Sequence, residues 1–216
     1  APPRPGQRVL EVGCGTGTST RFWHDLVRRH HGRSPTLLGL NITPSHIRTA
    51  ESRIAGHALW EKHLRFQLGD ATRLRGLDDG AFTRVAALES AFHFDPRERF
   101  FREAYRVLAP GGRLVTCDIV TRPRVPTYHS LKRYLPELLV RGPCEYLADL
   151  VACPVENHVD IVRYTQQLQM AGFRNIRWES IWDRARPTLT LYEQRLQSIR
   201  KGRIAPWLEP WDPDRF

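Results

Sequence analysis

The 216-residue chain predicts an α/β architecture: a doubly wound, mostly parallel sheet with helices on both faces. Three observations carry this. Short apolar runs recur at residues 9–12, 37–40, 64–68, 85–88 and 113–120, each the length of a buried parallel strand rather than of a helix. Segments with apolar residues at helical spacing separate most of these runs. The first run also breaks directly into glycines at 13, 15 and 17 and then into a helical pattern, which is how a strand, a ligand-binding turn and a helix follow one another in such folds.

The first strand leads into Glu11-Val12-Gly13-Cys14-Gly15-Thr16-Gly17. Glycine lets this turn take positive φ and brings the backbone within contact distance of a ligand. Thr18 to His31 reads as a helix with Phe22, Trp23, Leu26 and Val27 inward, stopped by Gly32. Thr36 to Leu40 is the second strand. Asn41-Ile42-Thr43-Pro44 then announces a helix, with Thr43 as cap, Pro44 in its first turn and Ile47, Ala50, Ile54 and Ala55 as its stripe. The third strand, Leu64 to Leu68, ends in Gly69-Asp70-Ala71, and a polar segment through Asp79-Gly80 precedes the fourth. That strand runs into Glu89-Ser90-Ala91-Phe92-His93-Phe94. Asp95 caps a helix from Pro96 with Phe100, Phe101, Ala104, Val107 and Leu108 at helical spacing. Pro110-Gly111-Gly112 stops it before the fifth strand, Arg113 to Val120.

Beyond Val120 the alternation lapses. Residues 121–157 are proline-rich and irregular, with a candidate helix at Ser130 to Leu139, and read as a lid or recognition insertion. A helix from Asp160 to Ala171, a strand at Asn175 to Ile181 and a helix at Pro187 to Arg200 are expected after it. The formal charge of +10 raises the question of a nucleic-acid partner, but only three of the 33 basic residues are lysines (Lys62, Lys132, Lys201) and the arginines are spread over every segment. A nucleic-acid partner is therefore disfavoured. No apolar run has the length of a membrane span, and Ala1 to Gly6 lacks a leader's layout, so a soluble cytoplasmic protein is expected. Cys14, Cys117, Cys144 and Cys153 lack the spacing of a zinc site and read as reduced thiols, with no metal expected.

Taken together, Glu11 to Gly17, Gly69-Asp70-Ala71, Glu89-Ser90-x-x-His93 and Leu108-x-Pro110-Gly111-Gly112 resemble, in order and spacing, the class I S-adenosylmethionine-dependent methyltransferases. The resemblance covers residues 8–120. Gly39-Leu40-Asn41-Ile42-Thr43-Pro44 and the Glu-Ser-x-x-His turn resemble the small-molecule branch, which includes sugar O-, tocopherol C- and sarcosine N-methyltransferases and cyclopropane fatty acid synthases. It implies S-adenosyl-L-methionine as cofactor and one methyltransferase domain over 1–216. Within it, residues 1–120 would form a cofactor core, 121–157 the acceptor-recognition insertion and 158–216 a C-terminal part. Relatives carry helices upstream of the first strand, so a trimmed N-terminus is one reading, and a partner subunit supplying the missing parts another, which leaves a homo-oligomer open.

The resemblance also implies roles. Gly13, Cys14 and Gly15 would line the methionine end, with Glu11 anchoring their loop. Asn41 would face the ribose hydroxyls beside Ile42, with His46 where relatives often carry Gln. Asp70 and the Ala71 amide would meet the adenine edge, and Glu89 and Ser90 the cofactor's amino group. An in-line displacement from a sulfonium needs alignment and exclusion of water. For a hydroxyl acceptor it also gains from a base, and His93 is the candidate. Asp118 would orient it or act as a second base. Methyl transfer to a small-molecule acceptor, a hydroxyl of a secondary metabolite or sugar, is the leading expectation. C- or N-methylation, cyclopropanation and a non-catalytic cofactor-binding or scaffolding role are the alternatives, because a fold does not fix a chemistry.

Overall fold

The computed structural model describes residues 7–120, 153–187 and 190. Its sheet consists of β1 (Arg8–Val12), β2 (Thr36–Asn41), β3 (Leu64–Leu68), β4 (Phe82–Leu88) and β5 (Leu108–Cys117). All are parallel, in the order β3-β2-β1-β4-β5. The helices are α1 (Thr18–His31), α2 (Pro44–Ile54), α3 (Ala58–His63), α4 (Arg97–Val107) and α5 (Ile161–Met170). The chain divides into two units, Ala1–Arg174 and Asn175–Phe216, and every one of these elements lies in the first.

The strand order grows outward from β1 in both directions, since Val12 pairs with Leu40 of β2 on one side and Ala87 of β4 on the other. Right-handed crossovers running both ways from one strand lay helices on opposite faces of the sheet. β1 is accordingly buried along its interior, with the apolar Val9, Leu10 and Val12 and one carboxyl group, that of Glu11, out of solvent. Val9, Leu37, Ile54 and Leu64 form one core cluster, capped by Trp23, Trp60 and Phe66. Phe100, Phe101, Ala104 and Val107 of α4 are fully buried, and the Phe101 ring lies 5.3 Å from that of Tyr164 on α5. Each phenylalanine buried in this way contributes about 1.5–3 kcal/mol.

Three local differences from the sequence-based expectations have physical causes. Helix α3 was not anticipated, because its six residues bury none of their side chains and so carry no apolar period. The fifth strand starts at Leu108, directly after α4, because Leu108 pairs with Phe82 before the register jumps to Arg84↔Arg113. Pro110-Gly111-Gly112 is thus looped out within the strand, with Gly111 at φ +74°, instead of separating helix from strand. In the second unit, residues 175–181 are irregular where a strand was expected, with Trp178 and Ile181 exposed. Alternation makes a strand possible, but a strand forms only where a neighbour completes its hydrogen bonds. Residues 182–187 are helical, with the Arg184 and Ala185 amides donating to the Ile181 carbonyl at 3.0 and 2.8 Å. The expected helix at 130–139, residues 121–152 of the insertion, Cys144 and nearly all of the helix at 187–200 lie outside the described residues. Among the described residues no helix is long and apolar enough to cross a membrane.

Candidate active site

Parallel strands end on one edge, so the turns leaving β1 to β5 converge there, around the reversal between β1 and β4. The glycine turn is tied down from within. The Gly13 and Cys14 amides both donate to the Leu40 carbonyl, at 2.8 and 3.2 Å, and the Gly17 amide to the Cys14 carbonyl at 3.0 Å. Gly13, Gly15 and Gly17 have φ of +68°, +53° and +77°, but for different reasons. A Cβ on Gly13 would lie 2.4 Å from Ser90 Cβ, and one on Gly17 2.6 Å from the Phe66 ring, whereas one on Gly15 would meet nothing within 4 Å. Gly13 and Gly17 are packing glycines; Gly15 leaves open space.

Beneath this turn Glu11 is buried, and its Oε2 accepts from Thr20 Oγ1 at 2.5 Å. Burial pushes its carboxyl above the usual range, partly offset by the hydroxyls of Ser19 and Thr20. Burial also pushes the Cys14 thiol up to about 12, so Cys14 enters the site through its backbone and not as a nucleophile. Arg53 of α2 clasps the turn from outside, its Nη1 donating to Thr16 Oγ1 at 2.6 Å and Thr18 Oγ1 at 3.2 Å.

At the ends of β2 and β3, Asn41 Nδ2 donates to His46 Nδ1 at 3.2 Å, and its backbone carbonyl accepts from Gly69 at 2.9 Å. Asp70 Oδ1 accepts from both the amide and the hydroxyl of Thr72 at 2.8 Å. Among the described residues nothing donates to Asp70 Oδ2 or to Asn41 Oδ1, so each keeps an acceptor for another group. Ile42 and Leu68, 69% and 52% exposed, stand beside them as uncovered apolar side chains at the sheet edge.

The turn after β4 carries the remaining candidates. Glu89 takes φ +50°, a left-handed conformation uncommon outside glycine, and its amide donates to the Cys117 carbonyl at 2.9 Å. Ser90 is buried, its Oγ donating to the Val12 carbonyl at 3.2 Å, which ties β4's end to β1's. Ala91–His93 form a single 3-10 turn with His93 exposed. No hydrogen bond or ion pair joins Asp118 to His93 among the described residues. The Asp118 side chain is 3% exposed; Oδ1 accepts from the Phe92 and Ile119 amides, both at 3.1 Å, and Oδ2 from the Tyr164 hydroxyl at 2.9 Å. Burial pushes the Asp118 carboxyl up, with the Tyr164 hydroxyl, the Arg97 charge and the two amides opposing.

Behind Asp118 lies a polar network that sequence reasoning missed. Arg97 is fully buried, 3.8 Å from Asp118 Oδ2, with its Nη2 donating to Gln167 Oε1 at 2.9 Å and its guanidinium 4.4 Å from the centre of the Tyr164 ring. Asn157 Nδ2 donates to the carbonyls of Phe92 at 3.0 Å and Phe94 at 2.7 Å. The signal for Arg97 was present, since it lies at helical spacing from Phe100, Phe101 and Ala104 of α4, where an arginine implies a buried partner. No motif marked Asn157 or Arg53. Surface cavities of about 580 and 290 Å³ lie elsewhere, between α1 and α3, lined by residues such as Arg28, Leu59 and Trp60.

Residues 10–116 match the family model described as a methyltransferase domain. Residues 10–116 are thus a methyltransferase domain of this family. Across 210 residues the chain is 35% identical to erythromycin 3''-O-methyltransferase of Saccharopolyspora erythraea, covering 95% of this chain and 57% of that protein. It is 29% identical to norajmaline N-methyltransferase of Rauvolfia serpentina, covering 82% of the chain and 56% of the relative. The chain therefore spans a little over half the length of these two relatives. Among solved structures it resembles the [4+2]-cyclase SpnF with a TM-score of 0.64 at 22% identity, covering 85% of this chain and 56% of that one; at that identity the likeness concerns the fold.

Proposed function

We propose that this domain transfers a methyl group from S-adenosylmethionine to a small-molecule hydroxyl, that of a secondary metabolite or sugar. S-adenosylmethionine supplies, when bound, a methyl group already activated on a sulfonium sulfur. The residues at the sheet edge suit such a molecule. Gly15 leaves room for close backbone approach, with Gly13 and Cys14 beside it and Glu11 anchoring the loop from below. Asn41, steadied by His46, keeps an acceptor suited to ribose hydroxyls. Asp70 Oδ2 and the Ala71 amide suit the edge of a purine, and Ile42 and Leu68 its faces. The Glu89 backbone, turned by its positive φ and braced by Ser90, suits the amino group.

The observation that carries the reading is His93, exposed on the turn after β4 at the strand-order reversal, where an acceptor would enter. His93 would take the proton of the acceptor hydroxyl through its imidazole. Asp118, spent on the Phe92 amide, Tyr164 and Arg97, would position that turn through the backbone. Likeness to an N-methyltransferase favours one second reading, an amine acceptor, for which His93 would be dispensable. In His93→Ala, turnover of a hydroxyl acceptor is expected to fall about a hundredfold or more with S-adenosylmethionine affinity unchanged by calorimetry. Turnover that survives the substitution would reassign His93 to architecture and favour the amine reading.

A further inference from the structure

We infer that Asn157 is a positioning residue for the turn that presents His93, an inference that rests on the role proposed for that histidine. The turn is short: its own bonds are His93 N to the Ser90 carbonyl at 3.1 Å and Phe94 N to the Ala91 carbonyl at 3.2 Å. A single 3-10 turn held by two such bonds is marginal without outside support. Among the described residues two side chains supply such support. Asp118 takes the Phe92 amide at 3.1 Å, and Asn157 donates both carboxamide hydrogens, to the Phe92 carbonyl at 3.0 Å and the Phe94 carbonyl at 2.7 Å. The Phe92 carbonyl belongs to the peptide group that enters His93, and the Phe94 carbonyl lies one residue past it. Asn157 therefore brackets the histidine.

Asn157 is itself fixed. It closes a 3-10 turn, Val155–Asn157, with its amide donating to the Pro154 carbonyl at 2.8 Å and its carbonyl accepting from Arg97 Nη1 at 3.4 Å. It is 3% exposed, between the buried Val155 and Val159. A leucine of similar volume would fill that place without the cost of burying an amide, so the two donors are what the site uses. Asp118, just past β5, holds the Phe92 amide and Asn157, in the segment that precedes α5, holds the Phe92 carbonyl, so the backbone that enters His93 is fixed from two separate parts of the fold.

The test compares the full chain with Asn157→Asp, which keeps the shape and replaces the donor by an acceptor, and with Asn157→Leu, which keeps the volume alone. Amide hydrogen exchange at His93 and Phe94 is expected to speed up about tenfold to a hundredfold, the worth of two hydrogen bonds, while α4 amides keep their protection. The His93 imidazole C–H resonance is expected to move. Affinity for S-adenosylhomocysteine, the probe for the cofactor site, should stay within about twofold. Turn and α4 amides accelerating together, or an unmoved His93 resonance, would assign Asn157 to general stability and overturn the inference. Should Asn157→Asp not fold, Asn157→Leu is read by the same criteria. Failure of His93 as the base would appear separately, as retained turnover in His93→Ala with the exchange result standing.

Discussion

The three glycines of the first turn look alike in sequence and differ in what a methyl group would cost. Gly13→Ala combines a positive φ with a 2.4 Å overlap on Ser90 Cβ, inside a turn whose amides are already fixed to Leu40. A loss of about 2–4 kcal/mol is expected, read by urea denaturation. Gly15→Ala has the φ penalty alone, about 1 kcal/mol. Its larger effect is expected in calorimetry, as weakened S-adenosylmethionine binding where the methyl fills the open space; equal stability losses in the two variants would refute the distinction. At this scale the turns that carry Gly13, Asn41, Asp70, Ser90 and His93 were legible, because turn chemistry is local. The partners of Arg97 and Asn157 were not, because they lie 70 and 65 residues away in sequence.

The connection from β3 to β4 lacks a helix and is knotted to α4 by one ion-pair cluster. Arg106 donates to the carbonyls of Leu74 and Leu77 at 3.1 and 2.8 Å and to Asp79 at 2.6 Å, while Glu103 Oε2 accepts from the Leu74 amide at 2.9 Å and from Arg106 at 2.9 Å. The Arg106 hydrogen bond holds the Glu103 carboxyl below its ordinary value, against the pull of burial. A depressed value means that the folded chain keeps this carboxylate ionised to lower pH than the unfolded chain does. Its contribution is therefore complete above about pH 4.3 and lost as pH falls through the folded value. Glu103→Gln is expected to lower the melting temperature by about 2–4 °C at pH 7 and by progressively less under acid conditions, with the two curves converging. A gap independent of pH would show that packing, not charge, is what Glu103 contributes. Element boundaries followed the strength of their local signals: α1 begins at Thr18 and ends at Gly32, and β3 runs from Leu64 to Leu68, as their caps and apolar runs indicate. The looped-out Pro110-Gly111-Gly112 and the irregular 175–181 segment were misread, since register and pairing are properties of two segments and neither is written in one.

For the molecule as a whole, the strand order β3-β2-β1-β4-β5 puts the reversal between β1 and β4, and with it the edge where the candidates meet. A ligand that binds only the folded chain raises its stability by mass action. S-adenosylhomocysteine at a hundred times its dissociation constant should add about 2.7 kcal/mol, a rise of about 5–10 °C in melting temperature. The buried Glu11 gives that experiment a second arm. In dinucleotide-binding folds the positive end of the first helix is left for a pyrophosphate. Here Glu11 places a carboxylate of the protein against the first turn of α1, on Thr20 and Ser19, while the Gly13 and Cys14 amides are spent on Leu40. With a carboxyl group of the protein in that place and those amides taken, the first turn of α1 offers little to a coenzyme's pyrophosphate. Millimolar NAD should leave the melting curve where it was, and a rise comparable to that with S-adenosylhomocysteine would show that the first turn of α1 is open to a coenzyme's pyrophosphate after all.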